Sequence, residues 1–285
     1  MKSLFLIFIS FSFALAASSQ DFHLNLFLGS SNYQGDLQAK RYTFDQAHLA
    51  GGVGLSYDLT QHFSVRGSFT VGKISGDDKY GRNSVRNLNF SSMISEGDVD
   101  LQYYITPLGS HSLTPYVFAG IAFYHFDPYT FDSSGNKFYL KPLSTEGEGF
   151  IAGRSNYSLT QVSLPFGAGI KMPLSDNLNV GLEVGFRKTF TDYLDDVSTT
   201  YVDESQLLAA RGSKAVELSY RGDELKNGSQ VYPVAGTGRG NPGSKDWYYF
   251  TGITLSFRLG NGLLGNGNGS GAGKNAEWNC PKKVL

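Results

Sequence analysis

The chain has 285 residues, enough for one large domain or two small ones. Its 24 Lys+Arg against 25 Asp+Glu leave a net charge of −1, which argues against nucleic-acid binding through a basic surface. A mean hydropathy of −0.22 is too low for a bundle of membrane helices, and the single cysteine, Cys280, excludes an intrachain disulfide and a cysteine-based metal cluster. Charged residues make up 17% of the chain, below the roughly 25% of ordinary soluble domains. With 21 Phe, 17 Tyr and 35 Gly, the composition favours strands over helices.

Lys2 precedes an apolar run from Leu4 to Phe13, and Ala14-Leu15-Ala16 follows as a cleavage pattern. Residues 1–19 therefore read as a secretory signal peptide, cut after Ala16 or after Ser19. The run is well short of the roughly 20 residues that span a bilayer. No cysteine follows it, so lipoprotein processing is not expected. The mature chain is predicted to be exported without a transmembrane helix.

From there, period-2 segments recur between turn residues. They predict strands at Asp21–Tyr33, Gln46–Asp58, His62–Gly76, Met93–Thr106, Ser112–Asp127, Ser158–Pro173, Asn177–Asp192 and Lys245–Leu259. All are about twice the usual strand length in soluble proteins. In the second, Leu49, Val53, Leu55 and Tyr57 oppose His48, Ala50, Gly52, Gly54 and Ser56. In the fourth, Val99, Leu101, Tyr103 and Ile105 oppose Glu96, Asp98, Asp100 and Gln102. The seventh and eighth alternate likewise, and the fifth is apolar on both faces, which leaves its register open. Connections alternate between tight (Leu59-Thr60-Gln61, Pro107 to His111, Leu174-Ser175-Asp176) and long (Gln34 to Asp45, Asp77 to Ser92, Pro128 to Tyr157, Tyr193 to Ser244). A soluble β-sandwich or lipocalin-like barrel is the alternative, but compact soluble domains seldom hold such long loops. The fold class expected is all-β: an eight-stranded antiparallel transmembrane β-barrel over residues 20–259, with short periplasmic turns and long extracellular loops. Residues 260–285, rich in Gly and Asn up to Gly273 and carrying Trp278 and Cys280, are expected to form a flexible periplasmic tail.

An eight-stranded barrel has an interior that side chains can fill. Arg66, Glu96, Asp98, Asp100, Glu183, Arg187 and Arg258 are assigned to the lumen as a charge network of both signs, whose members should pair because unpaired buried charge is costly. The five histidines lack metal-ligand spacing, and no metal or other cofactor is expected. His125 near a serine would be the candidate for a lipid-modifying enzyme. Asp195, Asp196, Asp203 and Glu204 lack the calcium-loop spacing and read as solvated loop carboxylates.

Several segments carry a resemblance together: Gly29-Ser-Ser-Asn-Tyr-Gln-Gly-Asp-Leu37, Arg86-Asn-Leu-Asn-Phe90, Tyr116-Val-Phe-Ala-Gly120, Tyr139-Leu-Lys-Pro-Leu143 and Thr145-Glu-Gly147. Arg187 to Thr199, Tyr201-Val-Asp203, Arg239-Gly-Asn-Pro242 and Lys245-Asp-Trp-Tyr248 complete the set. This pattern resembles the Bacteroidetes outer-membrane β-barrel family that includes the PorG component of the type IX secretion system. The resemblance implies outer-membrane location and a non-enzymatic role in an envelope machine, with a periplasmic lipoprotein and ring components as partners beside the membrane lipid. It also marks Asn32, Tyr33, Gln34, Gly35, Asp36, Asp195, Asp196, Tyr201 and Asp203 as outer-loop motif residues. Surface binding or adhesion through the outer loops, with the aromatic stretch Tyr129 to Tyr139, is the alternative, and lipid modification is a further one.

Overall fold

Side chains that alternate between apolar and polar give a strand two unlike faces, and a sheet built from such strands must hide one face from the other's solvent. In the computed structural model, which describes residues 22–259 apart from 39, 41–42, 82 and 108–111, the sheet solves this by closing on itself. Eight long strands form the wall: β1 (Phe22–Gln34), β2 (His48–Asp58), β3 (Phe63–Asp77), β4 (Asn89–Tyr104), β5 (Thr114–His125), β8 (Thr160–Ser175), β9 (Leu178–Thr189) and β10 (Trp247–Arg258). A short hairpin, β6 (Tyr129–Phe131) and β7 (Lys137–Tyr139), stands in the loop between β5 and β8. Each wall strand pairs antiparallel with its neighbours, β1 with β10 and β3 with β4 completing the circle. All eight expected strands are present, with ends that move by a few residues. The expected signal peptide and the tail, with Trp278 and Cys280, lie outside the described residues.

Neighbouring strands approach closely where bulk is missing. Gly29 faces Gly252 across the β1–β10 ladder, and a Cβ on Gly29 would sit 2.2 Å from the Thr251 carbonyl oxygen. Only glycine allows that approach.

Outward positions are apolar and uncovered: Leu49, Val53, Leu55, Phe69, Val99, Leu101, Ile121, Phe123, Leu182 and Ile253 are all exposed. Inward positions are mostly polar or aromatic and buried, with aliphatic Ile74 and Ile94 near the long-loop end. The open register of the fifth strand is settled with Tyr116, Phe118, Ala122 and Tyr124 inside and Val117, Ile121, Phe123 and His125 outside. A soluble protein cannot leave so broad an apolar belt in water, whereas closed backbone pairing with an apolar exterior is what lipid requires. The chain is an outer-membrane β-barrel. No helix among the described residues is long and apolar enough to cross a membrane, so the strands do the crossing.

The apolar core lies inside the long-loop end. Tyr33, Ile74, Phe90, Ile94, Tyr124, Tyr248 and Phe250 from the wall pack there with Leu37, Leu88, Phe126, Leu140, Tyr157, Leu194 and Val197 from the loops. Two short helices that the sequence reading did not anticipate, α1 (Glu204–Arg211) and α2 (Ser213–Ser219), bury Leu207 and Ala215 against Val202 in a second small cluster.

An arginine at an outward mid-wall position should be costly only if lipid surrounds it. Val99→Arg is expected to cost about 2–4 kcal/mol of folding stability in bilayers, read as lost heat-modifiable gel mobility; an unchanged folded fraction would contradict the membrane wall.

Candidate functional site

Two sets of polar groups are buried, one in the lumen and one beneath the long loops. The lumen set is built by alternation. Arg66 on β3 and Asp100 on β4 are ladder partners, and Glu183 reaches them from β9. The Arg66 guanidinium donates to Asp100 Oδ2 at 3.0 Å and to both Glu183 oxygens at 2.7 and 3.1 Å, while the Tyr116 hydroxyl donates to Glu183 at 2.6 Å. One layer nearer the long loops, Arg187 donates to Glu96 at 2.9 and 3.0 Å, and Glu96 also accepts from Tyr248 at 2.6 Å. Aromatic rings back both cations, Phe118 at 5.2 Å from Arg66 and Phe250 at 4.5 Å from Arg187. Asp98 lies beside both arginines on the rim of a cavity of about 30 Å³, room for one water, with Ser68 as its hydrogen-bond donor at 3.3 Å. Towards the short turns, Lys171 donates to Gln102 at 3.1 Å and Tyr104 at 2.8 Å. The lumen is thus filled largely by groups that pair with one another, with Asp100 Oδ1, Gln102 Nε2 and Thr254 Oγ1 buried without a hydrogen bond.

Six of the seven assigned lumen charges are buried there; Arg258 is not. It ends β10 exposed, beside the short turns, where alternation along the strand no longer means enclosure by the wall.

Beneath the loops, the motif residues converge. The Tyr33 hydroxyl donates to Asp195 at 2.6 Å and to Asp246 at 3.2 Å, and Asp246 also accepts the Leu194 amide at 2.9 Å. Gly35 lies over this pair: a Cβ there would fall 2.0 Å from both the Tyr33 hydroxyl and the Asp246 carboxylate. Asp36 accepts the Asn241 amide at 2.8 Å. Asp196, held at a left-handed φ of 64°, accepts from Thr145 at 2.6 Å and Tyr157 at 2.7 Å. Glu146 takes the Ser198 and Thr199 amides at 2.9 and 2.7 Å and pairs with Arg239 at 2.9 Å. Arg86 is forked onto Asp78 at 2.7 Å and also reaches the Arg239 carbonyl. Asn32 is buried opposite Tyr249 in the β1–β10 ladder, Gln34 is half-buried, and Tyr201 packs edge-on against Tyr220 and Tyr232.

Asp195 and Asp196, expected to be solvated, are therefore buried, because Tyr33 at the end of β1 and Thr145 and Tyr157 of the β5–β8 loop close over them. Asp203 is exposed, and its carboxylate caps α1 by accepting the Gln206 amide at 3.1 Å. Among the described residues no group of three or more His, Cys, Asp or Glu is arranged to hold a metal ion. His125 faces outward from the wall, with Thr160 Oγ1 at 2.9 Å and Ser95 opposite it in the β4–β5 ladder. The reading from sequence missed Glu146, Asp246, Arg86 and Arg239 as partners in this cap, although segments containing all four had been singled out.

Burial dominates the titration of the cap carboxylates. It pushes Asp192 up to about 7, Glu148 up to about 8 with Asp196 adding repulsion, and Asp196 up to about 6 against the pull of Arg239. Asp195 and Asp246 are raised well above the usual carboxylate range by burial.

Comparison with known proteins adds a family and a set of fold likenesses. The family described as "Domain of unknown function (DUF6089)" matches residues 1–209. No curated protein matches. Among solved structures, Neisserial surface protein A (NspA) is 8% identical, with a TM-score of 0.41 over 83% of this chain and 96% of that one. Ail of Yersinia pestis, in complex with the heparin analogue sucrose octasulfate, is 8% identical with a TM-score of 0.39 over 83% and 97%. OprG from Pseudomonas aeruginosa is 12% identical with a TM-score of 0.38 over 84% and 96%. Likeness at this level carries no weight beyond its mention; the barrel is established by its own ladder and exterior.

Two outcomes are expected. Arg66→Ala strands two buried carboxylates and should cost about 3–5 kcal/mol, and in planar bilayers only this variant, not the parent, should show conductance bursts. For the cap, folded carboxylates hold protons more tightly than unfolded ones, so their contribution is complete below pH about 4 and fades as pH rises through about 6 to 8. Hydrogen exchange, corrected for intrinsic rates, should quicken in residues 190–246 between pH 5.5 and 8.5 and stay slow in the wall, and Glu148→Gln should reduce that difference.

Proposed function

The chain belongs to the family described as "Domain of unknown function (DUF6089)", and we propose that it serves as a non-enzymatic structural or assembly component of an envelope machine, of the type IX secretion kind that its segments resemble. One observation carries the reading. The segments that resemble the PorG-containing family are scattered from residue 29 to residue 248, yet most of them interlock in one buried cap: Tyr33 with Asp195, Asp36 with Asn241, Arg86 with the Arg239 carbonyl and Arg239 with Glu146. A pattern spread along the chain and joined in space is what a rigid, shared surface needs. The filled lumen supports the same reading, since charges committed to one another leave little room for solute flux. The expected partners are a periplasmic lipoprotein and ring components, contacted at the short-turn end. Single contacts of that size would be weak and would gain from repetition around a ring.

A second reading has its own observation. The β6–β7 hairpin projects beyond the wall with Phe131 and Tyr139 exposed and Lys137 stacked 3.7 Å from the Tyr129 ring centroid, a surface suited to adhesion. Affinity purification of the tagged barrel from cross-linked envelopes, with a secretion assay in the deletion strain, separates the two. Ring components and lost secretion are expected; normal secretion without them, together with lost attachment on deletion of the hairpin, would favour adhesion.

A further inference from the structure

The loops neutralise several of their cations with nearby carboxylates: Arg86 with Asp78, Arg221 with Glu224, Arg239 with Glu146, and Lys214 with Asp132 and Glu217. Lys141 and Arg211 differ. Among the described residues neither has a carboxylate within ion-pair distance; Arg211 is held instead by Ser144 Oγ at 3.1 Å and by the Phe150 ring at 5.4 Å. Both line one recess of about 500 Å³, together with Asp127, Tyr139, Asn156 and Leu159. Lys137 stands beside it, its Nζ 3.0 Å from the Tyr139 hydroxyl. Three cations thus gather around the single carboxylate of Asp127, and an exposed amide, an aromatic ring and an aliphatic side chain complete the lining.

The place of the recess in the barrel narrows what would enter it. Asp127 lies two residues beyond β5, and Leu159 immediately precedes β8. Directly below, the outward pair His125 and Thr160 caps a wall on which Ile121 and Phe123 are exposed. The recess therefore lies at the rim, where the apolar wall gives way to the long loops. A cationic concavity with apolar edges at a membrane–water boundary suits a ligand that is anionic at its head and apolar below. Phosphate matches Lys and Arg donors, which form their strongest hydrogen bonds with anionic oxygens.

We infer that this recess binds the phosphorylated headgroup of an outer-leaflet lipid, with Lys141 and Arg211 on the phosphate and Tyr139 against the start of its acyl chains. The inference rests on the membrane placement of the barrel and not on its role in secretion.

Native mass spectrometry of the full barrel in detergent micelles, titrated with diphosphoryl lipid A, with the same lipid stripped of phosphate, and with inorganic phosphate, tests it. At about fivefold per basic side chain near a membrane surface, the Lys141→Gln/Arg211→Gln double variant should bind diphosphoryl lipid A about 30-fold more weakly. Lys226→Gln, at an exposed site elsewhere in the loops, should bind it as the parent does, and heat-modifiable mobility confirms that each variant is folded. Stripped lipid should bind the parent as weakly as the double variant binds lipid A. Binding of the folded double variant within about twofold of the parent would overturn the assignment, as would equal binding of stripped lipid. Inorganic phosphate binding as tightly as the lipid would reassign the recess to a free anion and overturn its lipid part.

Discussion

The structure depends on the neutralisation of Arg66 and Arg187 inside the wall. Lipid forces the exterior of the barrel to be apolar, and the strict two-residue period of a strand then hands the remaining positions to the lumen. Charges placed there have no bulk water to solvate them, so each must be answered by another side chain. Asp100 and Glu183 answer Arg66, and Glu96 answers Arg187. Because Glu183 on β9 answers β3 and Glu96 on β4 answers β9, these two pairs also tie non-adjacent strands together across the lumen. The plug and the brace are the same contacts.

Above these pairs the interior changes character. Rings from β1, β4, β5 and β10 replace charges and meet apolar residues descending from the loops, so the wall and the cap share one core. The long loops are therefore not appendages. Their carboxylates are buried by the same packing that places Leu194 and Val197 against Tyr33 and Tyr157, and they settle into a network of hydroxyl, amide and guanidinium donors. Such a network is strong when every member is satisfied and fails together when one is removed.

Much of the wall was legible from sequence because alternation is a local property: Val99 and Asp100 declare opposite faces whatever the rest of the chain does. Legibility ended where the ladder ended. Arg258 continues the alternation of β10, but its strand leaves the enclosed part of the barrel there. Asp195 and Asp196 sit in a polar stretch and read as solvated; what buries them comes from Tyr33, 162 residues away along the chain, and Tyr157, 39 residues away. No window on the sequence contains that distance. The helix α1 was within reach, since Asp203 followed by Gln206 three residues later has the spacing of a capping box before Leu207-Leu208-Ala209-Ala210.

The last wall strand carries more than its share of the interior. Tyr248 supplies the hydroxyl on Glu96, Phe250 backs Arg187, and Thr254 and Ser256 line the lower lumen, all from β10. The last of the described wall strands is thus also the stopper. Without β10 the wall would stand open between β1 and β9, with Glu96 short of a donor and Arg187 without its ring. The strand that closes the circle beside Phe22–Gln34 therefore also seals the interior.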